Sequence, residues 1–472
     1  MDDPTGLGAL ALRRAMDVGR LTAAALMEAT LARIARVNPG LNAIVALRDP
    51  AALRAEAAAA DRVPVAARGP LHGLPMAVKD LVGVAGIRST WGSPILADNV
   101  PAQDDMLAAR LRAAGAILIG KTNTPEFGLG SHSYNPVHGV TGNPYAPERT
   151  AGGSSGGAAA ALAARMLALA DGSDMMGSLR NPAGWCNVYG FRPTYGRVPV
   201  DPVGDTFLHQ LATDGPMARS IEDLALLLEV LAVPDPRLPH GRPSEPFLAA
   251  LDRPAGRLRI GWLGDWGAAW PMENGILSLC RNALDDFPDA TVEDVPPPFA
   301  AARLWDSWTT LRSWAVAARL GVFHADAGRR ALLKPEAIWE IERGLSFSAM
   351  QVHRASVVRS EWNAVAAGLF QRFDLLALPV AQVWPFPKGW DWPKSVAGRA
   401  MDTYHRWMEV VVPASLLGLP TLAAPVGFGP QGLPMGVQLI GPRGADAAVL
   451  RAGQAWHRAT DWPGRVPPAG VA

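Results

Sequence analysis

Apolar residues in the first sixty positions recur at the spacing of a helix. Thr22 is suited to cap a helix in which Leu26, Thr30, Ile34 and Val37 recur at helical spacing. A second helix is expected after the Asp49-Pro50 step, because proline suits the first helical position. Residues 1–62 are therefore predicted to form an N-terminal helical segment.

From Leu71 onward, short apolar runs alternate with longer stretches rich in alanine and leucine. The short runs predict strands at 74–82, 116–119, 167–170, 258–263 and 375–378. The longer stretches predict helices at 104–114, 158–165, 220–231, 301–320, 348–373, 402–417 and 445–459. Strands that alternate with helices indicate an α/β fold in which helices cover a central sheet.

Composition narrows the class of protein. The 472 residues are 49% hydrophobic and 18% charged, which is enough for a large core and too little charge for a disordered chain. The net charge of +1 gives no reason to expect nucleic acid or an anionic membrane as partner. Two cysteines cannot form a disulfide framework, which fits a cytoplasmic location. We expect no secretory signal after the acidic start Met-Asp-Asp-Pro, and no membrane span.

Two segments match known motifs but lack the surroundings that those motifs need. Gly115 to Thr122 fits the phosphate-loop pattern GxxxxGK[ST], yet its middle residues have the pattern of a strand. Gly153 to Gly157 fits the GxSxG nucleophile elbow, yet residues 143–149 before it have loop composition where an apolar strand is required. We therefore expect neither nucleotide binding nor the triad of an α/β-hydrolase.

Three other segments carry the candidate chemistry. They are Pro75-Met-Ala-Val-Lys79-Asp80, the double serine of Gly152-Gly-Ser154-Ser155-Gly-Gly157, and Gly172-Ser-Asp174-Met-Met-Gly177-Ser178-Leu-Arg180. Together they resemble the amidase signature family, in which two serines stand 24 positions apart, as Ser154 and Ser178 do here (178 − 154). The family lysine lies upstream on a core strand, as Lys79 is predicted to do.

The resemblance extends over most of the chain and is densest from Leu71 to Pro199. Further family-like segments are 120–128, 190–194, 418–420 and 432–436. The sequence departs from the family pattern at Met176, where glycine is usual, at Gly142, where arginine is common, and at Arg192, where lysine is common. The departure at Met176 stands two positions before Ser178.

The resemblance implies a fold and a set of roles. The fold is the α/β amidase-signature fold, a central mixed β-sheet covered by helices on both faces. Ser178 would be the nucleophile, Ser154 a proton relay on a cis peptide, and Lys79 the base. The oxyanion hole would use backbone N–H groups of Met175, Met176, Gly177 and Ser178. Ser155, Asp174 and Arg180 are expected to support the site.

The residues themselves give this chemistry a physical basis. A serine hydroxyl needs a base within hydrogen-bond reach, and a lysine can act as one only when it is neutral. Lys79 stands among Met76, Ala77, Val78 and Leu81, and such an apolar setting disfavours the ammonium form. Lowering its pKa to about 7–8 requires roughly 3–5 kcal/mol of differential solvation.

The chain is predicted to form one domain over residues 1–472, whose catalytic core is 71–232 and whose residues 401–472 complete that core. Residues 233–400 are predicted to be helical, rich in tryptophan and to form the substrate cleft. The tryptophans expected to wall that cleft are Trp305, Trp308, Trp314, Trp339, Trp384, Trp390, Trp392 and Trp407. As a group they favour a bulky or aromatic small-molecule amide as substrate. The nine histidines show no metal-ligand spacing, so we expect neither a metal nor a cofactor.

The first functional hypothesis is an amidase that hydrolyses carbon–nitrogen bonds other than peptide bonds, acting as a monomer or homodimer. Esters, carbamates and nylon oligomers are possible further substrates, because residues 401–408 look most like the branch with 6-aminohexanoate-oligomer hydrolases, aryl amidases and urethanases. The second hypothesis is the A subunit of a glutamine-dependent aminoacyl-tRNA amidotransferase, which shares the triad. The third is a non-catalytic binding member of the fold.

Overall fold

The strands of this protein form one large sheet and several small ones. The computed structural model describes residues 3–470. Met1 and Asp2 lie outside the described residues, and they belong to the N-terminal stretch in which no secretory signal is expected. The strands are β1 (Ile44–Val45), β2 (Pro75–Lys79), β3 (Ile117–Thr122), β4 (Tyr134–Asn135), β5 (Gly139–Val140), β6 (Gly142–Asn143), β7 (Ala146–Thr150), β8 (Leu169–Asp174), β9 (Tyr189–Arg192), β10 (Thr213–Ala218), β11 (Leu258–Trp262), β12 (Ala290–Asp294), β13 (Leu375–Pro379), β14 (Ser395–Val396), β15 (Arg399–Ala400), β16 (Thr421–Phe428) and β17 (Pro434–Ile440).

The large sheet is mixed and has the strand order β12-β11-β13-β17-β16-β9-β10-β8. Its first three strands are parallel to one another, and each later neighbour is antiparallel. Strands β13, β16 and β17 are apolar and almost entirely buried, as expected for strands covered on both faces.

Helices surround the sheet and supply the rest of the core. They are α1 (Ala9–Asp17), α2 (Ala23–Leu41), α3 (Pro50–Asp61), α4 (Met106–Ala113), α5 (Gly156–Ala163), α6 (Arg180–Trp185), α7 (Ile221–Leu231), α8 (Phe247–Ala250), α9 (Ile276–Asp285), α10 (Ala301–His324), α11 (Ala327–Arg330), α12 (Pro335–Leu345), α13 (Ala349–Arg372), α14 (Val412–Leu417), α15 (Asp446–Thr460) and α16 (Trp462–Arg465). Helices α5, α6, α7, α9 and α15 pack directly on strands of the sheet. The predicted α/β architecture, a mixed sheet flanked by helices, is confirmed. Within residues 3–470 no helix has the length and hydropathy needed to cross a bilayer.

A small three-stranded sheet, in the order β1-β3-β2, continues the large sheet at its β8 edge. Strand β2 packs beside β8, and the two are joined through a side chain: the backbone N–H of Lys79 donates to Asp171 Oδ1 at 3.0 Å. This junction places the end of β2, where Lys79 stands, against the strand that leads to Ser178.

Two predicted elements differ in detail from the structure. The helix expected over 402–417 is instead a 3-10 helix over Arg406–Val411 followed by α14, which has Pro413 in its first turn. Proline cannot continue a helix from its N-terminal side because it lacks an N–H, but it suits a first turn. The strand expected at 167–170 runs from Leu169 to Asp174 and so carries the sheet to the nucleophile loop.

Candidate active site

Lys79 is the last residue of β2 and is almost completely buried. Met76, Ala77 and Val78 before it have no exposed surface, and Lys79 itself is 1% exposed. Burial lowers the pKa of the Lys79 ammonium to about 7, although the nearby carboxylate of Asp171 opposes that shift. Close to neutral pH the amine is therefore divided between its charged and neutral forms, as required of a lysine that acts as a base.

The lysine amine contacts three hydroxyl groups at once. Lys79 Nζ lies 2.8 Å from Ser154 Oγ, 2.9 Å from Ser155 Oγ and 2.9 Å from Ser173 Oγ. Ser154 and Ser155 were predicted site residues, whereas Ser173 was not. The signal for Ser173 was available in strand periodicity, because Asp171 and Ser173 are two positions apart and share a face of β8. Asp171 binds the backbone of Lys79 and Ser173 binds its side chain.

The double-serine loop takes the conformation that the family resemblance implies. The Gly153–Ser154 peptide bond is cis. The Ser131 hydroxyl donates to the Gly153 carbonyl, and the N–H of Gly156 donates to Ser133 Oγ at 3.1 Å. The loop is thus held on one side by the 131–133 segment and on the other by Lys79.

Ser178 lies beside this loop, two residues before α6. The N–H of Ser155 donates to the Ser178 carbonyl at 3.3 Å, so the backbones of the two serine segments touch. The exposed fraction rises from 1% at Lys79 to 2% at Ser154 and 7% at Ser178. Of these three residues, Lys79 is therefore the least exposed and Ser178 the most exposed.

Asp174 organises the turn that presents Ser178. Its carboxylate accepts the Gly177 N–H at 2.8 Å and the Leu179 N–H at 3.2 Å. Arg180 Nε lies 2.9 Å and Arg192 Nη1 3.2 Å from the same carboxylate, and all three side chains are fully buried. Burial alone would raise the pKa of Asp174, but the two guanidinium groups outweigh it and hold that pKa well below its usual range. The expected support from Asp174 and Arg180 is thus present in the geometry, with Arg192 as a second cation.

The predicted oxyanion hole needs one correction. The Gly177 N–H already donates to Asp174, so it is not free to face an oxyanion, and Gly177 leaves the predicted set of donors. Gly177 is needed for a different reason: its φ is +82°, and a Cβ there would meet Val411 at 3.0 Å. Met176 is not among the positive-φ residues, so its backbone does not require the glycine that is usual in the family. Met175, Met176 and Ser178 remain candidate donors.

A buried polar network behind Met175 was not predicted. Arg312 Nη1 lies 3.3 Å from Met175 Sδ, while Arg312 Nε donates to Glu340 at 2.6 Å and Nη2 to Tyr404 at 2.7 Å. The Tyr404 hydroxyl donates in turn to Glu340 at 2.9 Å. These residues come from α10, α12 and the segment before α14, so sequence spacing gave no sign that they meet.

The tryptophans expected to wall the cleft fall into three groups by exposure, of which the half-buried one comprises Trp314, Trp384 and Trp392. Trp305, Trp308 and Trp407 are buried, and Trp407 stacks on Trp185 with ring centroids 5.9 Å apart. Trp339 and Trp390 are exposed. Part of the predicted cleft wall is therefore core packing, and the rest is partly or largely exposed.

A mixed α/β sheet that brings a buried lysine onto a double-serine loop beside a second, braced serine defines a class of enzymes acting on the carbon–nitrogen bonds of amides. The chain belongs to the amidase signature family: the model of the family described as Amidase matches residues 25–450.

Two curated relatives illustrate the match in sequence. The chain is 35% identical to the A subunit of the glutamyl-tRNA(Gln) amidotransferase from Roseiflexus sp., with 96% of each chain covered. It is 36% identical to the protein of the same name from Thermus thermophilus, with 94% of this chain and 95% of the relative covered.

Solved structures give a complementary view. A bacterial aryl acylamidase matches with a TM-score of 0.90 and 28% identity, covering 98% of this chain and 99% of that one. The 6-aminohexanoate cyclic dimer hydrolase matches with a TM-score of 0.87 and 25% identity over 98% and 99%. The A subunit of the glutamyl-tRNA(Gln) amidotransferase from Thermotoga maritima matches with a TM-score of 0.73 and 27% identity over 92% and 94%.

These relatives correct one prediction. We expected no nucleic acid among the partners and a monomer or homodimer. The prediction that excluded nucleic acid is wrong, because the curated relatives carry tRNA in their names and are named as subunits. The near-zero net charge did not indicate a nucleic-acid partner, because it describes this chain alone and not a partner protein that binds the nucleic acid.

Proposed function

We propose that this chain cleaves an amide carbon–nitrogen bond through an acyl-enzyme on Ser178, with Ser154 as proton relay and Lys79 as base. The observation that carries the proposal is the contact of 2.8 Å between a nearly unexposed Lys79 amine and Ser154 Oγ. A neutral amine at that distance can accept the Ser154 proton while Ser154 accepts the proton of Ser178.

The reaction then follows from these three residues. The Ser178 oxygen attacks the carbonyl carbon, and backbone N–H groups of Met175, Met176 and Ser178 stabilise the oxyanion. The proton held by Lys79 returns through Ser154 to the leaving nitrogen, the carbon–nitrogen bond breaks, and the acyl group stays on Ser178. Water or another nucleophile releases the acyl group by the same proton path in reverse.

The first use of this chemistry is hydrolysis of a free-standing amide. The structural match to an aryl acylamidase, at a TM-score of 0.90, supports this use. The similarity to 6-aminohexanoate cyclic dimer hydrolase extends the proposal to nylon-type oligomers, and esters and carbamates react by the same steps. The exposed Trp339 and Trp390 offer apolar surface to such ligands.

The second use is release of ammonia from glutamine for transfer to an aminoacyl-tRNA held by partner proteins. The curated relatives favour this use over the first, because the two described above share this function in their names at 35–36% identity over nearly the whole chain. In that case the acyl group on Ser178 is the glutamyl group, and the leaving nitrogen is the ammonia that is transferred.

One experiment tests the chemistry and separates its two uses. The purified chain is assayed alone on nitroanilide, ester and carbamate substrates and on glutamine, and then on glutamine with the other amidotransferase components and tRNA. Nitroanilide turnover by the chain alone supports the hydrolase, and glutamine turnover that appears only with these components supports the amidotransferase. If Ser178→Ala turns over any of these substrates as fast as the wild type does, the proposed mechanism is wrong.

A further inference from the structure

Asp214 lies next to the lysine site on the neighbouring strand. In the antiparallel pairing of β8 and β10, Asp214 stands directly opposite Ser173. Directly opposed residues project to the same face of a sheet, with Cβ atoms about 4.5–5.5 Å apart. Because the Ser173 hydroxyl lies 2.9 Å from Lys79 Nζ, the Asp214 side chain projects to the same face as the proposed base.

Asp214 differs from the other charges that face Lys79. Those charges are Asp171 and Asp174 on β8, Asp214 on β10 and Arg319 on α10. The Asp171 carboxylate accepts the backbone N–H of Lys79, and Asp174 is held by Arg180 and Arg192. Asp214 is half-buried and has no part in the steps proposed above.

The groups around Asp214 act on its pKa in opposite directions. Burial and the neighbouring Asp171 raise the pKa of Asp214 to about 7, while Lys79 and Arg319 act in the opposite direction, and Asp105 is the other charge that faces it. A carboxylate that is ionised beside an ammonium stabilises the charged form of the amine. Two such groups titrate as a pair, so the pH at which Lys79 becomes neutral depends on Asp214.

We propose that Asp214 is a positioning residue for the proposed base: across Ser173, its carboxylate favours the ammonium form of Lys79 and so raises the pH at which the neutral amine becomes available. The inference rests on the proposed function, because it assigns Asp214 a role only if Lys79 is the base. Removal of this carboxylate makes the amine easier to deprotonate and moves activation of Ser178 to lower pH.

The test uses the rate at which a fluorophosphonate probe labels Ser178, measured from pH 5.5 to 9. This readout needs neither the natural substrate nor a partner. With Lys79 titrating near pH 7, the wild-type rate rises about tenfold between pH 6 and pH 8. For Asp214→Asn, a downward shift of about one pH unit reduces that rise to about twofold. Asp214→Glu keeps a rise close to that of the wild type.

Control variants separate the role of Asp214 from the role of Lys79 in the labelling experiment. Asp252→Asn makes the same change at an exposed position outside this cluster and leaves the profile unchanged. Asp214→Ser is a second probe should the asparagine variant fold poorly, and it moves the profile in the same direction. If both variants retain the tenfold rise, the role of Asp214 is refuted while the base remains Lys79. If Lys79→Met labels as fast as wild type at every pH, the proposed function itself fails.

Discussion

One carboxylate oxygen of Asp174 accepts the N–H of Gly177 at 2.8 Å, in the residue immediately before the proposed nucleophile. The same carboxylate is paired with Arg180 and Arg192, and none of these side chains is exposed to solvent. The turn that presents Ser178 is therefore held from inside the core, and its geometry depends on a buried charge that stays compensated.

Neutralising the Asp174 carboxylate is expected to lower the free energy of unfolding. Asp174→Asn leaves two buried guanidinium groups without their carboxylate, and breaking a buried ion pair in this way costs about 3–5 kcal/mol of unfolding free energy. The measurement is the denaturant midpoint. The control is Glu361→Gln, which breaks the exposed pair with Arg303 and has a much smaller effect. Equal shifts in the two variants would contradict the bracing role of Asp174.

Ser178→Ala is expected to remove amide cleavage by about 10⁴-fold or more, because removing one member of a catalytic unit removes nearly the whole effect of that unit. The fold is expected to be unchanged, since the substitution removes one oxygen from a turn that Asp174 holds. Turnover and fluorophosphonate labelling report the loss, and thermal unfolding reports the fold. Ser278→Ala, at an exposed helical position, serves as the control. Residual turnover within tenfold of wild type would identify another nucleophile.

The pH dependence follows from Lys79. Because burial lowers its pKa to about 7, the amine is protonated below that pH and cannot accept the Ser154 proton. Activity is therefore expected to fall as the pH drops through 7 and to level off above 8. Turnover is measured from pH 5.5 to 9, with circular dichroism over the same range to separate titration from unfolding. A flat profile between pH 6 and 9 would rule out Lys79 as the base.

The sequence predicted the candidate triplet because each member lies in a local motif with its own spacing. Lys79 ends an apolar strand, and Ser154 and Ser178 stand 24 positions apart, so the family resemblance was enough to connect them. The confirmed α/β architecture likewise depended on short apolar runs that are visible locally. The helix predicted over 402–417 was wrong at Pro413, although a proline there could have indicated the break.

The groups that surround the triplet could not be found in this way. Asp214 meets Ser173 only through the register of β8 and β10, and the segment that joins these strands is too long to fix that register as a tight turn would. Arg312, Glu340 and Tyr404 converge from three separate elements. Gly177 was assigned to the oxyanion hole as part of the run that the family resemblance implies, whereas its N–H donates to a carboxylate that only the folded turn brings into reach.

Gly128 offers a test of how closely the chain is packed around Ser154. Its φ is +72°, and a Cβ there would lie 2.7 Å from Leu81 Cδ1 and 3.6 Å from Ser154 Oγ. Gly128→Ala is therefore expected to displace the Leu81 side chain, two residues after Lys79, and to lower turnover by about tenfold, since small misplacements of catalytic groups are costly. Gly86 is the matched control, because its φ is +73° and nothing lies within 4 Å of its Cβ position. Gly86→Ala carries the same backbone cost of about 1–2 kcal/mol but is expected to keep its turnover. If both variants lose turnover equally, backbone strain rather than contact with the site explains the loss at Gly128.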